Sequence, residues 1–305
     1  MRALITGATG TIGKKLVSSL GRETVVTSRN PEHATAELGV RAIGWDGRSP
    51  IDLGGADAVF HLAGEPVAEG RWTDEKKRRI RQSRVDGTRA VVASIAKAET
   101  KPRVLVSASA VGFYGSRGDE LLTEASAPGE GFLPDVCRAW EDEAMAAEAH
   151  GVRVVCVRIG IVLAREGGAL AKMLPVFRTG LAGKLGAGTQ WMPWIHVDDV
   201  VGLMLHAATK DAVKGPLNAA APELVTNAGF TRTLARTLHR PAFFAAPKLA
   251  LELALGETAS VILASQRVVP EKAIATGYRF AHPSLGPALA ELCGRPTART
   301  AEVRP

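Results

Sequence analysis

Cysteine is scarce and badly placed for crosslinking. Cys137, Cys156 and Cys293 are odd in number, widely spaced and form no CxxC pair, which excludes a disulfide framework and gives no metal-ligand spacing. No metal site is expected, and the three read as core residues or free thiols. Long apolar runs are missing too. The longest candidate, Pro247 to Ala264, is interrupted by Lys248, Glu252, Gly256 and Glu257, short of the roughly 20 apolar residues that a membrane-crossing helix needs. No membrane contact is expected. Met1-Arg2-Ala3-Leu4-Ile5 runs straight into a glycine turn, with no charged leader and apolar cleavage segment, so the expected location is cytoplasmic. Tyrosine is nearly absent, with only Tyr114 and Tyr278 in 305 residues.

What is present is ample core material, since 46% of the residues are hydrophobic. The net charge of +7 raises the question of nucleic acid. Much of the basic excess, however, sits in Lys76 to Arg84 and Arg295 to Arg304. The first of these follows acids and carries few aromatics, so a solvated helix face is the preferred reading. Binding with steep salt dependence would mark the nucleic-acid alternative. No nucleic-acid partner is expected, and a phosphate-bearing ligand near the helix is the third option.

The first half alternates β-branched runs with helical patterns, the signature of βαβ units feeding a parallel sheet. Strands are expected at Arg2 to Thr6, Thr24 to Ser28, Val40 to Trp45, Ala58 to Leu62, Arg103 to Ala108 and Arg153 to Ile159. Helices are expected near Ile12 to Leu20, Asp74 to Ala96 and Asp135 to Ala149. Continuous apolar runs such as Val104-Leu105-Val106 fit a sheet covered on both faces. The fold class is therefore α/β, a Rossmann-type doubly wound parallel sheet with a smaller C-terminal substrate lobe. Residues 1–165 form the nucleotide-binding part, with 195–220 returning to it; 166–194 and 221–293 form the lobe; 294–305 form a frayed tail.

Strand one ends in Thr6-Gly7-Ala8-Thr9-Gly10-Thr11-Ile12-Gly13, a GxxGxxG turn opening a helix. Gly7 permits the tight turn, Gly10 lets backbone approach a pyrophosphate, and Gly13 allows close helix–strand packing. The amides at the helix N-terminus, with its partial positive charge, then face the phosphate. Thr9, Thr11 and Ile12 complete the phosphate-facing set. Strand two ends in Val26-Thr27-Ser28-Arg29-Asn30, with no carboxylate before Glu32. An acid there would grip a ribose 2′-hydroxyl, whereas Arg29 offers a fork of donors to a 2′-phosphate and Ser28 adds a hydroxyl. The expected cofactor is NADP(H).

Phe60-His61-Leu62-Ala63-Gly64, Ser107-Ala108-Ser109 and Tyr114-Gly115 resemble short-chain dehydrogenases of the extended, epimerase-like type. More narrowly, TGATGTIG, HLAGEPV, SASAVGFYG, CRAWE, WIHVDDV and PKLALELALGE with SQRVVPEKAIATGYRF resemble the bacterial epimerase-family proteins that carry a C-terminal extension of unknown function. Some of those carry cell-division-inhibitor labels, which nothing in these residues explains. The resemblance implies that Gly7, Gly10 and Gly13 hold the pyrophosphate, Ser28 and Arg29 the 2′-phosphate, and Ala63 and Gly64 the adenine-side ribose, with Leu62 beside them in the cofactor-binding set. It places Asp46 toward adenine, although a polar residue ending a strand is often a turn former. It makes Ser109 the catalytic serine, polarising a substrate carbonyl or alcohol. A homodimer is common in the superfamily.

The usual mechanism of that superfamily needs a tyrosine with a lysine one helical turn later, and the expected helix, Phe132 to Glu141, has neither. Three explanations stand open: another group donates the proton, the protein binds cofactor without turnover, or the chemistry differs from carbonyl reduction. Tyr114 and Arg138 are the nearest substitutes, with Asp135 and Glu141 as proton carriers if burial raises their pKa. In the lobe, Gln190, Trp191, His196 and Arg267 are the candidates for a small-molecule substrate, although His196 reads first as a packed residue. Asp198 or Asp199 is expected to cap a helix beginning near Val200. Two functions follow: an NADP(H)-dependent oxidoreductase or epimerase on a small carbonyl, alcohol or sugar-like substrate, and a non-catalytic NADP(H)-binding redox-state sensor that presents its lobe to a partner.

Overall fold

The computed structural model describes residues 1–294. In the first half β1 (Ala3–Thr6), α1 (Thr11–Leu20), β2 (Thr24–Ser28), α2 (Pro31–Leu38), β3 (Arg41–Gly44), β4 (Ala58–His61), α3 (Asp74–Lys97), β5 (Val104–Ala110), β6 (Leu121–Leu122), α4 (Phe132–Met145) and β7 (Arg153–Ile159) follow one another. The remainder comprises β8 (Ile161–Leu163), α5 (Gly168–Thr179), β9 (Trp194–His196), α6 (Val197–Thr209), β10 (Gly215–Ala219), α7 (Asn227–Thr237), α8 (Lys248–Leu255), α9 (Ala259–Leu263), β11 (Arg267–Val268), α10 (Glu271–Ala275) and α11 (Leu285–Cys293). From residue 295 on, the tail expected over 294–305 lies outside the described residues.

Seven strands make a wholly parallel sheet in the order β3-β2-β1-β4-β5-β7-β10. The chain leaves β1 toward β3, then returns to β4 and runs the other way. The order therefore reverses between β1 and β4, and at that switch the carboxyl ends of the strands leave a crevice.

Neighbouring residues along each strand serve opposite layers, because side chains alternate across a sheet. Ile5, Val26, Phe60, Val106 and Val157 pack with Leu16 of α1 and with Val200, Leu203 and Met204 of α6. Leu4, Val59, Leu105 and Val154 pack instead with Val91 and Ile95 of α3 and Ala144 of α4. A separate apolar cluster joins Leu170, Leu174 and Phe177 of α5 to Phe230 and Leu234 of α7 and to Leu285 and Leu289 of α11. Residues 197–219 belong to the first layer system, where α6 and β10 complete the sheet and its cover.

In the central sheet and its connections two elements escape the sequence reading. β10, Gly-Pro-Leu-Asn-Ala, looks like a turn because of Pro216, but it is the edge strand, paired only with β7, where a missing amide can be tolerated. α2 is short, with Pro31 in its first turn and the Asn30 side chain accepting from the His33 amide at 3.1 Å. A third difference concerns the helix after β9. It starts at Val197, and its cap is His196, whose Nδ1 accepts from the Asp198 amide at 3.1 Å; Asp198 and Asp199 lie in the first turn rather than at the cap.

Candidate functional site

The crevice at the switch is a cleft of about 710 Å³, in the range of roughly 300–1,000 Å³ usual for small-molecule sites. Its walls come from the β1–α1 turn, the end of β2, the 45–48 turn, the 62–66 loop and α3. The turn closes on itself through Gly7 at φ +71°, where a Cβ would lie 2.7 Å from the carbonyl carbon of Leu62. Gly13 is equally obliged, since a Cβ would fall 2.6 Å from Ala8 Cα. Gly10 differs: a Cβ there would meet only the Gly7 carbonyl, at 3.4 Å, so its backbone stands open. No side chain caps α1 and no acid lies in its first turn. Among the described residues the amides of Thr11, Ile12 and Gly13 have no acceptor. A helix terminus with open amides and no carboxylate is a ready place for an anion.

Gly7, Thr9, Gly10, Ser28, Arg29, Asp46, Leu62, Ala63 and Gly64 all line this cleft; Thr11, Ile12 and Gly13 lie behind it in α1. The Ser28 hydroxyl already exchanges hydrogen bonds with Asn30, accepting from its amide at 3.0 Å. Asp46 accepts from the amides of Arg48 and Ser49 at 2.7 and 2.8 Å, and these bonds hold its pKa down to about 2. It is the turn former of its loop as well as a cleft residue. Sequence reasoning missed His33, Arg48 and Arg79, which come from α2, the 45–48 turn and α3 to line the same cleft as Arg29. The facing acids are answered: Glu37 pairs with Lys14 at 2.6 Å, and Glu65 with Lys76 at 2.8 Å, which lowers the pKa of both carboxyls. Arg29 has no carboxylate partner among the described residues.

Beneath the 62–64 loop runs a buried chain of polar groups. Thr6 Oγ1 accepts from the amides of Leu62 and Ala63, both at 3.2 Å, and bonds His61 Nδ1 at 2.7 Å. His61 Nε2 meets Thr88 Oγ1 at 3.0 Å, and that hydroxyl donates to the Arg84 carbonyl at 2.6 Å. Burial, with Arg84 nearby, pulls the His61 pKa down to about 4, so the ring is neutral.

The groups expected to do chemistry are arranged otherwise than the sequence implied. Ser109 Oγ donates to Glu141 Oε1 at 2.6 Å. Glu141 in turn receives Nε and Nη2 of Arg158 at 2.9 and 2.8 Å, a two-pronged pair that is almost wholly buried. Burial opposes the charge of Arg158, and the bonds to Glu141 outweigh it, so its pKa is raised. Arg158 Nη1 donates to the Tyr114 hydroxyl at 3.0 Å, and that hydroxyl lies 2.6 Å from Asn218 Oδ1. Tyr114 is 0% exposed. It is a strut between β7 and β10, not a donor facing the cleft, because every approach to its oxygen is taken by protein. Arg138 is a second correction: it stands exposed on α4 in a 2.8 Å pair with Asp135, turned to solvent. The face of α4 that meets the Ser109 side carries Leu133, Cys137 and Glu141, one helical turn apart, with the first two against Gly112. Burial, with Glu141 adding to it, pushes the Cys137 thiol up to about 12, so it is not a nucleophile.

In the lobe the structure brings together Trp191 and Arg267 but not Gln190 or His196. The Arg267 guanidinium lies 4.9 Å over the Trp191 ring, and Trp191 Nε1 donates to Asp119 at 2.7 Å. Arg267 Nε is buried without a partner. Gln190 braces its own loop by donating to the Leu185 carbonyl at 3.1 Å. His196, 2% exposed, stacks on His282 with ring centroids 3.7 Å apart. His196, Asp198, His282 and Glu291 bring one donor atom each within 4.8 Å of one another. No Cys/His spacing announces that group, because His282 and Glu291 arrive from the far end of the chain. Two of its members are already engaged: His196 caps α6, Asp198 pairs with Lys15 at 2.8 Å, and burial with His282 keeps the His196 pKa low.

The segment 248–263 reaches back over the first half. Arg71 Nη2 donates to the Leu253 carbonyl at 2.9 Å, and the Trp72 amide to Thr258 Oγ1 at 3.1 Å. Among the described residues no helix is long and apolar enough to cross a membrane.

Comparison with known proteins places these features. Residues 3–220 match the NAD dependent epimerase/dehydratase family, and residues 246–292 match a domain of unknown function. The chain is 37% identical to the epimerase family protein YfhF of Bacillus subtilis over 96% of this chain and 98% of that protein. It is 36% identical to the human epimerase family protein SDR39U1, over 96% and 99%. The crystal structure of human SDR39U1 (isoform 2) with NADPH superposes with a TM-score of 0.86 at 34% identity, covering 96% of this chain and 99% of that one. With its parallel sheet, glycine turn and C-terminal extension, this chain belongs to the NAD dependent epimerase/dehydratase family.

Proposed function

We propose that the chain binds NADP(H) across the cleft and uses it as an oxidoreductase or epimerase on a small carbonyl, alcohol or sugar-like substrate. The observation that carries this reading is that Arg29, Arg48, Arg79 and His33 line one cleft together with the glycine turn that leads into an uncapped helix. One anion would meet the open amides of α1 and a second the arginines, which is the charge pattern of a 2′-phosphorylated dinucleotide. The human relative crystallised with NADPH supports it. When bound, the cofactor supplies hydride transfer at its nicotinamide ring. The chain supplies a rigid floor at Leu62 to Gly64 and a serine hydroxyl whose proton is held toward Glu141.

Calorimetry on the purified chain tests this. NADPH should bind at least about 10-fold more tightly than NADH, and Arg29→Glu should weaken NADPH by about 10- to 100-fold while leaving NADH unchanged. Equal affinities for the two cofactors would sink the reading.

A second reading, a non-catalytic sensor of the NADP(H) redox state, is favoured by the sealed Tyr114 and by Leu133 and Cys137 on α4. It expects NADPH and NADP+ to differ in affinity and in their effect on proteolysis of the 248–263 segment, with no oxidation of NADPH against a broad carbonyl panel.

A further inference from the structure

Several large apolar side chains that the core leaves out stand together on the lobe. Phe243 is 86% exposed and Phe244 60%, and Leu181, Leu249 and Leu253 are exposed with them. Single exposed apolar residues are ordinary, whereas a gathered set marks a contact surface. The backbone does the gathering. The chain leaving α5 and the chain leaving α7 run side by side: the Phe244 amide donates to the Ala182 carbonyl at 3.3 Å, the Ala246 amide to the Lys184 carbonyl at 2.9 Å, and the Gly186 amide to the Ala246 carbonyl at 2.8 Å. A Cβ on Gly180 would lie 3.2 Å from the Pro241 ring, so the two segments also meet there. Pro241 and Pro247 bracket the aromatic pair and fix φ at each end. α8 continues the edge, with Leu249 and Leu253 one helical turn apart and no buried residue in the helix.

The same segments carry charge of one sign. From Gly167 to Val197 and from Leu224 to Leu251 the sequence contains no aspartate or glutamate. Arg178 in the last turn of α5, Lys184 beyond it and Arg240 on the neighbouring segment are exposed, and none has a carboxylate partner among the described residues. Lys248, opening α8, lies 3.7 Å from Glu252. Protruding phenyl and leucyl groups flanked by unpaired cations have the chemistry of an interfacial anchor: the apolar groups enter the headgroup layer while arginine and lysine reach its phosphates.

A second copy fits this edge badly, since it would set two cationic faces against each other. Phe243, so far out in solvent, is a protrusion rather than a wall of a groove, and a protrusion suits a fluid interface that closes around it. We infer that the edge formed by residues 178–186 and 240–253 is a peripheral docking surface for an anionic phospholipid bilayer. The lack of a long apolar run excludes a crossing helix, but a surface patch assembled from separate segments needs no such run.

Co-sedimentation of the full chain with vesicles tests this. Binding to vesicles of equal parts phosphatidylcholine and phosphatidylglycerol should exceed binding to phosphatidylcholine alone by at least about 10-fold, and should fall about 10-fold as salt rises from about 0.05 to about 0.5 M. Phe243→Ser with Phe244→Ser should weaken it by about 10-fold or more, as should Arg178→Glu with Lys184→Glu. Both pairs lie outside the cleft and should leave NADPH affinity within about 2-fold. Arg78→Glu with Arg81→Glu makes the same change of charge at exposed positions of α3 and should cost under about 3-fold. A loss there equal to that of the lobe pair would make the attraction a matter of net charge and overturn the inference. No preference for the anionic vesicles, or full binding by the double serine variant, overturns it too. So does dimerisation that the double serine variant abolishes, or capture of an acidic amphipathic peptide where anionic vesicles fail to bind. If melting shows that the double serine variant does not fold, Phe243→Trp carries the test: its added emission should move to shorter wavelength with anionic vesicles and not with neutral ones, and an unmoved emission overturns the inference.

Discussion

The open cleft at the glycine turn and the Ser109 end of the same sheet treat charge in opposite ways. At the first, Arg29, Arg48 and His33 are exposed, and the α1 amides are open. At the second, Ser109, Glu141, Arg158, Tyr114 and Asn218 form one buried network in which each polar atom is answered by protein. Exposed cations lose little by waiting for a ligand, because water solvates them meanwhile. Buried ones cannot wait, since desolvation costs several kcal/mol per ion unless a partner is in place. The difference teaches that a motif residue can hold its place in the sequence and still be consumed by the fold, as Tyr114 is.

The sharpest way to break this contrast is to remove one partner at the buried end. Glu141→Ala strands the Arg158 guanidinium and the Ser109 hydroxyl, and urea unfolding should show a loss of about 3–5 kcal/mol. Next in size is a pH effect beneath the open end. The His61 pKa falls from 6.5 to about 4 on folding, so the unfolded chain takes up the proton first. The stability that His61 contributes is complete above about pH 6.5, declines as pH falls toward 4, and levels off below, a total of about 3 kcal/mol. Unfolding free energies across that window should rise with pH, and His61→Gln should flatten the slope; an unchanged slope would contradict the neutral buried ring. Buried His196, with its pKa also lowered, adds a loss of the same sign. Smaller still, Arg48→Ala at the open end should weaken NADPH by a few-fold to about 10-fold and leave the melting temperature within about 2 °C. Least of all, Arg138→Ala removes an exposed pair with Asp135 and should change stability by under about 0.5 kcal/mol and NADPH affinity not at all. A large effect of Arg138 on either would put it back among the functional residues.

Much of the open end was legible because its determinants are local. Gly7, Gly10 and Gly13 lie within one turn, and Arg29 follows its strand directly, so spacing alone places them at the crevice. His33, Arg48 and Arg79 were not legible: each lies on a different element, and only the tertiary arrangement of α2, the 45–48 turn and α3 brings them to one cleft. The buried end resisted reading for a related reason. Burial of Tyr114 depends on β10, a strand hidden by Pro216, and on Arg158, reached across β7. The lobe candidates divided in the same way, Trp191 and Arg267 meeting over Asp119 while His196 became a helix cap.

By itself the sequence determined the alternation that builds a parallel sheet, the glycines a tight turn must have, and the absence of a Tyr–Lys pair from α4, since all three are written in residues close together in the chain. Only the tertiary structure decided which charges face solvent and which face each other, for desolvation acts on neighbours in space. Arg29, just past β2, and Arg158, within β7, are the same residue type on one sheet, and burial against Glu141 alone makes the second a fixed part of the scaffold.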